Sequence, residues 1–272
     1  MEQATLERDG GRVRLEPLGH RHHDGLCEAV RDGSLWELAV TLVPHPDEVR
    51  GFITEALAAR AAGTQLAYAT VDTSSGRIAG STRLMAIESA HRRLEIGWTF
   101  LGRSWQGTGV NTEAKLLMLA HAFENMGMNR VELLTDVRNT RSRAAIAGLG
   151  ATHEGTLRRH MVMRDGWVRD TAVYALTRPE WPASKATLEA RLPLGGRARG
   201  ARPSPEGASG GSPRRRGAPP DTPSRSPPRS RARSRPSRRR LRPKANSSSR
   251  DTPVSSAAAA VVAGKATGSR PR

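Results

Sequence analysis

Two glycines spaced as Gly107-Thr108-Gly109 sit between a strand-like run, residues 94–101, and a helix-like run that starts near Val110. Glycine has no Cβ and adopts backbone angles other residues avoid, so the main chain of such a loop can approach a ligand closely. A helix beginning directly after it points unbonded N–H groups and the positive end of its dipole at the same place. Asn111 and Thr112 are residue types that cap helices. The chemistry favoured is the binding of an anion such as phosphate or pyrophosphate, with a plain tight turn as the alternative. The loop is not a Walker motif, because no Gly-Lys-Ser/Thr follows. Nor is it a dinucleotide fingerprint: the third glycine is missing, and no strand ending in an acid lies at the usual distance.

The elements that would position this loop alternate along the chain. Residues 12–18 alternate polar and apolar and read as a first strand. Residues 20–31 read as a short helix. A clearer helix opens at Pro46 with Asp47 and Glu48 in its first turn, carries Val49, Phe52, Ile53, Ala56 and Leu57 on one stripe, and closes at Gly63. Residues 66–71 and 77–87 flank a turn and predict a hairpin. In residues 94–101, strict alternation places Leu94, Ile96, Trp98 and Phe100 on one face and Glu95, Gly97 and Thr99 on the other. Residues 112–126 are apolar nearly all round, the mark of a helix packed on more than one side. A strand over 130–135, a short helix over 139–149 and a last hairpin around Asp165-Gly166 complete the pattern. The expected class is α/β (α+β), a mixed, mostly antiparallel central sheet with flanking helices.

Charge divides the chain. It has 272 residues and a net charge of +18, and from Ala183 onward there are 22 Lys+Arg against 4 Asp+Glu, which leaves residues 1–182 neutral. Residues 1–182 are therefore expected as one folded domain. Residues 183–272, rich in Arg, Pro, Ser and Ala, are expected to form a disordered basic tail, because they hold too few large apolar side chains to offset their ordering entropy. The Arg-rich part, residues 229–242, is a candidate arm for non-specific nucleic-acid or ribosome contact. It lacks aromatic residues for base stacking. A solvated extension without a role, or translation of GC-rich sequence outside an ancestral frame, would give the same composition. The single cysteine, Cys27, rules out a disulfide framework and fits a cytoplasmic location. No secretion signal or membrane-length apolar run is seen. The His20, His22, His23 and Asp24 cluster reads as a solvated helix start, and no metal is expected, since no second ligand group with fixed spacing follows.

With these motifs in order, the chain resembles the GNAT superfamily of N-acetyltransferases over residues 10–182, and within it the branch of ribosomal-protein N-terminal acetyltransferases. The carriers are Leu94-Glu95-Ile96-Gly97, the glycine loop running into Val110-Asn111-Thr112-Glu113-Ala114, Asn139-Thr140-Arg141-Ser142, and Glu154-Gly155 with Arg158, leading to Arg169-Asp170-Thr171 and Tyr174. The resemblance implies acetyl-CoA as co-substrate and a primary amine, a protein N-terminus or a small molecule, as acceptor. Transfer would be direct, in a ternary complex, by a monomer or homodimer. The strand before the loop would splay from its neighbour, with Trp98, Thr99 and Phe100 along the pantetheine arm. Trp105, Gln106, Gly107, Thr108, Gly109, Val110, Asn111 and Thr112 would form the pyrophosphate cradle, and Asn139 and Ser142 would contact the thiol end. Two positions depart from the family pattern. Ser104 stands where the loop usually opens with Gln or Arg, and Ile146 where many members carry a tyrosine acid.

Acetylating an amine requires a neutral nitrogen, so a base must take its proton, and the leaving thiolate benefits from a donor. Glu95, on the strand beside the cradle, is the candidate base; a solvated strand glutamate is the alternative. Ser142 is the candidate acid, with a helix-cap or cofactor contact as the alternative. Glu113, in a first helical turn, reads as a complement to the helix dipole. The rival function is a catalytically silent acyl-CoA-binding module whose role lies in a nucleic-acid-binding tail.

Overall fold

The computed structural model describes residues 3–192. Strands β1 (Val13–Pro17), β2 (Leu66–Asp72), β3 (Ile78–Glu88), β4 (Arg93–Leu101), β5 (Arg130–Asp136), β6 (Thr152–Val162) and β7 (Val168–Thr177) form one sheet. Their order is β1-β2-β3-β4-β5-β7-β6. Every neighbouring pair is antiparallel except β4 and β5. Helices α1 (His23–Arg31) and α2 (Val49–Ala61) cover one face, burying Leu26, Val30, Phe52 and Ile53. Helices α3 (Val110–Ala120), α4 (Thr140–Ala147) and α5 (Trp181–Arg191) cover the other, around Met118, Leu119, Ile146 and Leu188. The mixed, mostly antiparallel sheet with flanking helices is thus the architecture expected.

The β4–β5 pair covers three residues only: Arg93 with Arg130, Leu94 with Val131 and Glu95 with Glu132. Beyond Glu132, β5 stays bonded to β7 as far as Asp136. Strand β4 instead follows β3, and its register slips between the Gly97–Arg83 and Phe100–Ser81 pairs. At the slip Trp98 takes φ +48°, a left-handed conformation a bulky residue rarely adopts. This bulge corrects the expected facing of β4. Leu94 and Ile96 pack on the α3 side, but Trp98 and Phe100 both turn to the α2 side, where each meets Phe52. Thr99 and Leu101 take their place on the α3 side. Sequence alternation assumes an unbroken pleat, and one inserted residue inverts it.

Two further expectations are corrected. The N-cap of α3 is Gly109 at φ +91°, so Asn111 and Thr112 lie inside the first turn rather than capping it. The boundary after Pro182 falls inside α5. That helix is anchored by Trp181, whose ring stacks 5.5 Å from Phe123 and whose indole N–H donates to Glu124 (2.7 Å). Ser184, Leu188 and Leu192 are buried. The folded domain therefore runs past the point where charge composition changes. The expected disordered tail, including its Arg-rich stretch, otherwise lies outside the described residues. No helix among the described residues is long and apolar enough to cross a membrane.

Candidate active site

The glycine loop follows a short 3-10 turn, Arg103–Trp105. Gly107 has φ +81° and Gly109 φ +91°, so both need the left-handed freedom of glycine. No atom lies within 4 Å of where a Cβ on Gly107 would stand, and on Gly109 only Leu192 would be met, at 3.9 Å. The neighbouring side chains are spent on shaping the loop. Gln106 Nε2 donates to the Leu101 carbonyl (2.7 Å) and the Thr108 hydroxyl to the Trp105 carbonyl (2.6 Å). No side chain caps α3, which leaves its first N–H groups facing the open side of the loop. An anion fits this concavity.

Trp105 does not line that open side. It is buried, and its indole N–H donates to Asp72 (3.3 Å), so it supports the loop from beneath. Phe100 and Val110 are also buried, which limits any ligand contact they make to backbone groups. Asn139 caps α4: its Oδ1 accepts the Ser142 N–H (3.0 Å). Ser142 is half-buried at the head of that helix, which follows the end of β5. Ile146 is buried in the core on the α3 side and offers nothing to the opening.

At the apex, where β4 and β5 part, the Glu95 carboxyl is pushed up to about 7, first by burial and second by repulsion from Glu132, against the attraction of Arg169. Its Oε1 lies over Gly97, beside the Met85 sulfur; each would stand 2.8 Å from a Cβ there. Glu132 is itself held by Arg130 (2.9 Å) and Arg93 (3.5 Å). Further along the same face, Arg169 is buried with its Nε donating to Thr171 Oγ1 (2.8 Å), and burial lowers its affinity for the proton. Thr171 also meets His160 Nδ1 (3.1 Å). Asp136 is fully buried; burial raises its carboxyl, but the hydrogen bonds from Arg138 outweigh that and hold it low.

The approach to this apex is walled by aromatic rings. Trp98 is half-exposed, and the buried Arg83 guanidinium lies 4.2 Å from the Phe52 centroid and 5.0 Å from that of Trp98. On the opposite wall Arg138 stacks 4.5 Å over Trp167. The chain after α1 crosses between these walls: Arg138 donates to the Ala39 carbonyl (3.4 Å), and Glu48 pairs with Arg164 (2.9 Å). Sequence reasoning missed Glu132 and Arg83 and took Arg169 only as part of a family motif; all three reach the site through sheet register. Alternation along residues 130–135 puts Glu132 on one face with Leu134, a signal that could have raised it.

A buried amine also reaches β4 from behind. Lys115 Nζ donates to Thr99 Oγ1 (2.6 Å) and Thr82 Oγ1 (3.1 Å), and burial alone lowers its proton affinity to about 7. It ties the bulge to the helix that starts at the glycine loop, and through Thr99 it fixes a residue expected along the cofactor arm.

A family model described as an acetyltransferase (GNAT) domain matches residues 12–152. The Bacillus subtilis (strain 168) protein YdaF, provisionally named a ribosomal N-acetyltransferase, is 30% identical over 110 residues, 40% of this chain and 59% of that one. The chain thus matches less than two thirds of that relative's length. A solved structure from T. thermophilus, provisionally named an acetyltransferase, is 34% identical with a TM-score of 0.61, covering 71% of this chain and 98% of the other. A GCN5-related N-acetyltransferase from Brucella melitensis is 31% identical with a TM-score of 0.62, covering 70% and 86%.

Proposed function

The chain belongs to the GNAT acetyltransferase family, and from that premise we propose that it is an acetyl-CoA-dependent N-acetyltransferase whose acceptor is the free amine of a protein N-terminus. The observation that carries the reading is the position of Glu95, a carboxyl pushed up to about 7 at the point where β4 and β5 separate. A base with proton affinity near neutrality is matched to deprotonating an ammonium at physiological pH. Bound acetyl-CoA supplies the acetyl group as a reactive thioester. The loop N–H groups and the start of α3 hold its phosphates, and the edge of β4 left unpaired beyond Glu95 holds its arm. Glu95 takes a proton from the incoming ammonium, the nitrogen bonds to the acetyl carbon, and the carbon–sulfur bond breaks. As the amide forms, the nitrogen gives up its second proton, which the Ser142 hydroxyl at the head of α4 relays to the departing sulfur, taking one proton as it gives one. The charged, aromatic-walled approach favours a polypeptide end over a small apolar amine, and the name of the YdaF relative favours a ribosomal protein.

We also infer a cytoplasmic setting from the free, buried Cys27, and a non-specific nucleic-acid or ribosome-tethering role for the Arg-rich residues 229–242. The test of the acceptor uses the full chain, acetyl-CoA and three acceptors: a peptide with a free α-amine, the same peptide α-blocked but carrying lysine, and a small primary amine. Thiol release with acetylation of the free α-amine is expected. Binding of CoA without transfer to any of them would leave a silent acyl-CoA module in place of the enzyme.

A further inference from the structure

An anion in the glycine loop faces a charge problem. The Asp32 carboxylate accepts the Ser104 N–H (2.9 Å) at the start of the loop, and the carboxylate of Glu113, only 1% exposed in the first turn of α3, is already paired within the fold. Ser104 supplies no cation. Arg103 stands in the turn before the loop, with its Cβ 2.9 Å from where a Cβ on Gly33 would be.

Two guanidinium groups from elsewhere in the chain reach the loop. Arg12, ahead of β1, donates from Nη1 to the carbonyl of Thr108, the residue between the two glycines (3.1 Å). Arg141, in the first turn of α4, donates from Nη1 to Gln106 Oε1 (2.5 Å). Both side chains are exposed, and each of these bonds uses one of the five donors a guanidinium carries. Neither is placed by chance. The Arg12 N–H donates to both Glu113 oxygens (3.2 and 3.1 Å), and its carbonyl accepts the Thr73 N–H (2.9 Å). The same Glu113 is neutralised by Arg8 Nε (2.8 Å). The buried glutamate therefore bolts the segment before β1 to the head of α3, and that bolt carries Arg12 to the crest of the loop. Arg141 is fixed by the Asn139 cap two residues before it.

We propose that Arg12 and Arg141 are phosphate-binding residues of the acetyl-CoA site, supplying from outside the loop the cations that the loop itself lacks. This rests on the reading of the loop as the acetyl-CoA site. A planar guanidinium with free donors pairs with phosphate oxygens in the fork geometry that lysine lacks.

The test titrates the full-length wild type, Arg12→Ala and Arg141→Ala with CoA, 3′-dephospho-CoA and 4′-phosphopantetheine by calorimetry, over a range of salt. Each substitution should weaken CoA binding by about tenfold or more, as for a hydrogen bond to a charged group. The salt dependence of affinity should become shallower. A deficit that vanishes with 3′-dephospho-CoA assigns the arginine to the 3′-phosphate, and one that persists assigns it to the pyrophosphate; either supports the proposal. Because the Arg12 bonds to Glu113 and Thr73 come from its backbone, alanine keeps them, and a thermal melt confirms the fold. If wild type binds CoA and both variants match it in affinity and salt dependence, the arginine assignment is overturned alone. A wild type that does not bind CoA overturns the reading of the loop as well.

Discussion

Glu95 on β4 and Glu132 on β5 face each other as the last pair before the two strands part. The Glu132 charge adds to desolvation in disfavouring the ionised form of Glu95. Glu132 has Arg130 and Arg93 as partners, and Glu95 has no ion pair within the sheet apart from the distant attraction of Arg169. The proton therefore stays on Glu95 until about pH 7.

The position of that carboxyl depends on a missing side chain. Gly97 lies outside the left-handed region, so alanine there carries no backbone penalty, but its Cβ would stand 2.8 Å from both Glu95 Oε1 and Met85 Sδ. Gly97→Ala should lower kcat about ten- to a hundredfold by displacing the base, with CoA affinity unchanged. Gly155→Ala, where a Cβ meets nothing, is the control and should be neutral. Equal rates for both variants would mean that Glu95 needs no fixed position.

At the loop the expectation reverses. Gly107→Val meets open space but sits at φ +81°, and a β-branched residue there should cost about 1–2 kcal/mol of stability. Gly107→Val and Gly109→Val should fold yet lose CoA binding, because the added methyls occupy the concavity. Calorimetry on the folded variants checks this, and wild-type affinity in both would remove the cradle assignment.

Much of this was legible in the chain. The strand, glycine loop and helix in succession are local features, read from residues within a few positions of one another. The facing of Trp98 was not, because a bulge is set by how β3 and β4 pair and not by the composition of β4. Glu132, Arg83 and the site role of Arg169 were hidden for the same reason: each meets the site across the sheet. The boundary at Pro182 failed because charge was read ahead of periodicity. Trp181, Ser184 and Leu188 fall three and four residues apart on one helical face, and that signal outweighs the basic composition around them.

The corrected boundary makes a sharp comparison. A chain ending after Leu192 should keep the wild-type melting temperature and CoA affinity. One ending after Pro182 loses buried Ser184, Leu188 and Leu192 together with the Lys185–Glu124 pair (2.9 Å). Removing one buried leucine alone costs about 2–5 kcal/mol, so the shorter chain should melt far lower or precipitate. Identical melts for the two would show α5 to be dispensable.

Lys115 links stability to pH. Its proton affinity falls from 10.5 to about 7 on burial, so between those values the folded chain holds fewer protons than the unfolded one. Stability from this group therefore rises with pH through that window and is lowest below about 7, where a buried amine must carry charge. Lys115→Met should raise the melting temperature most at pH 6 and least near pH 10. A constant difference across that range would show that the amine is uncharged or solvated throughout.

Acetyl transfer as proposed turns on Glu95 accepting the proton of the amine, and the pH dependence of kcat/KM in wild type and Glu95→Gln tests it most directly. Wild-type kcat/KM for a free α-amine peptide should climb through about pH 7 as the carboxyl ionises. The glutamine variant should retain acetyl-CoA affinity, lose about 10²–10⁴-fold in rate, and lose that limb of the profile. A variant with the wild-type rate and the same inflection near 7 would contradict this role and assign the proton to another group.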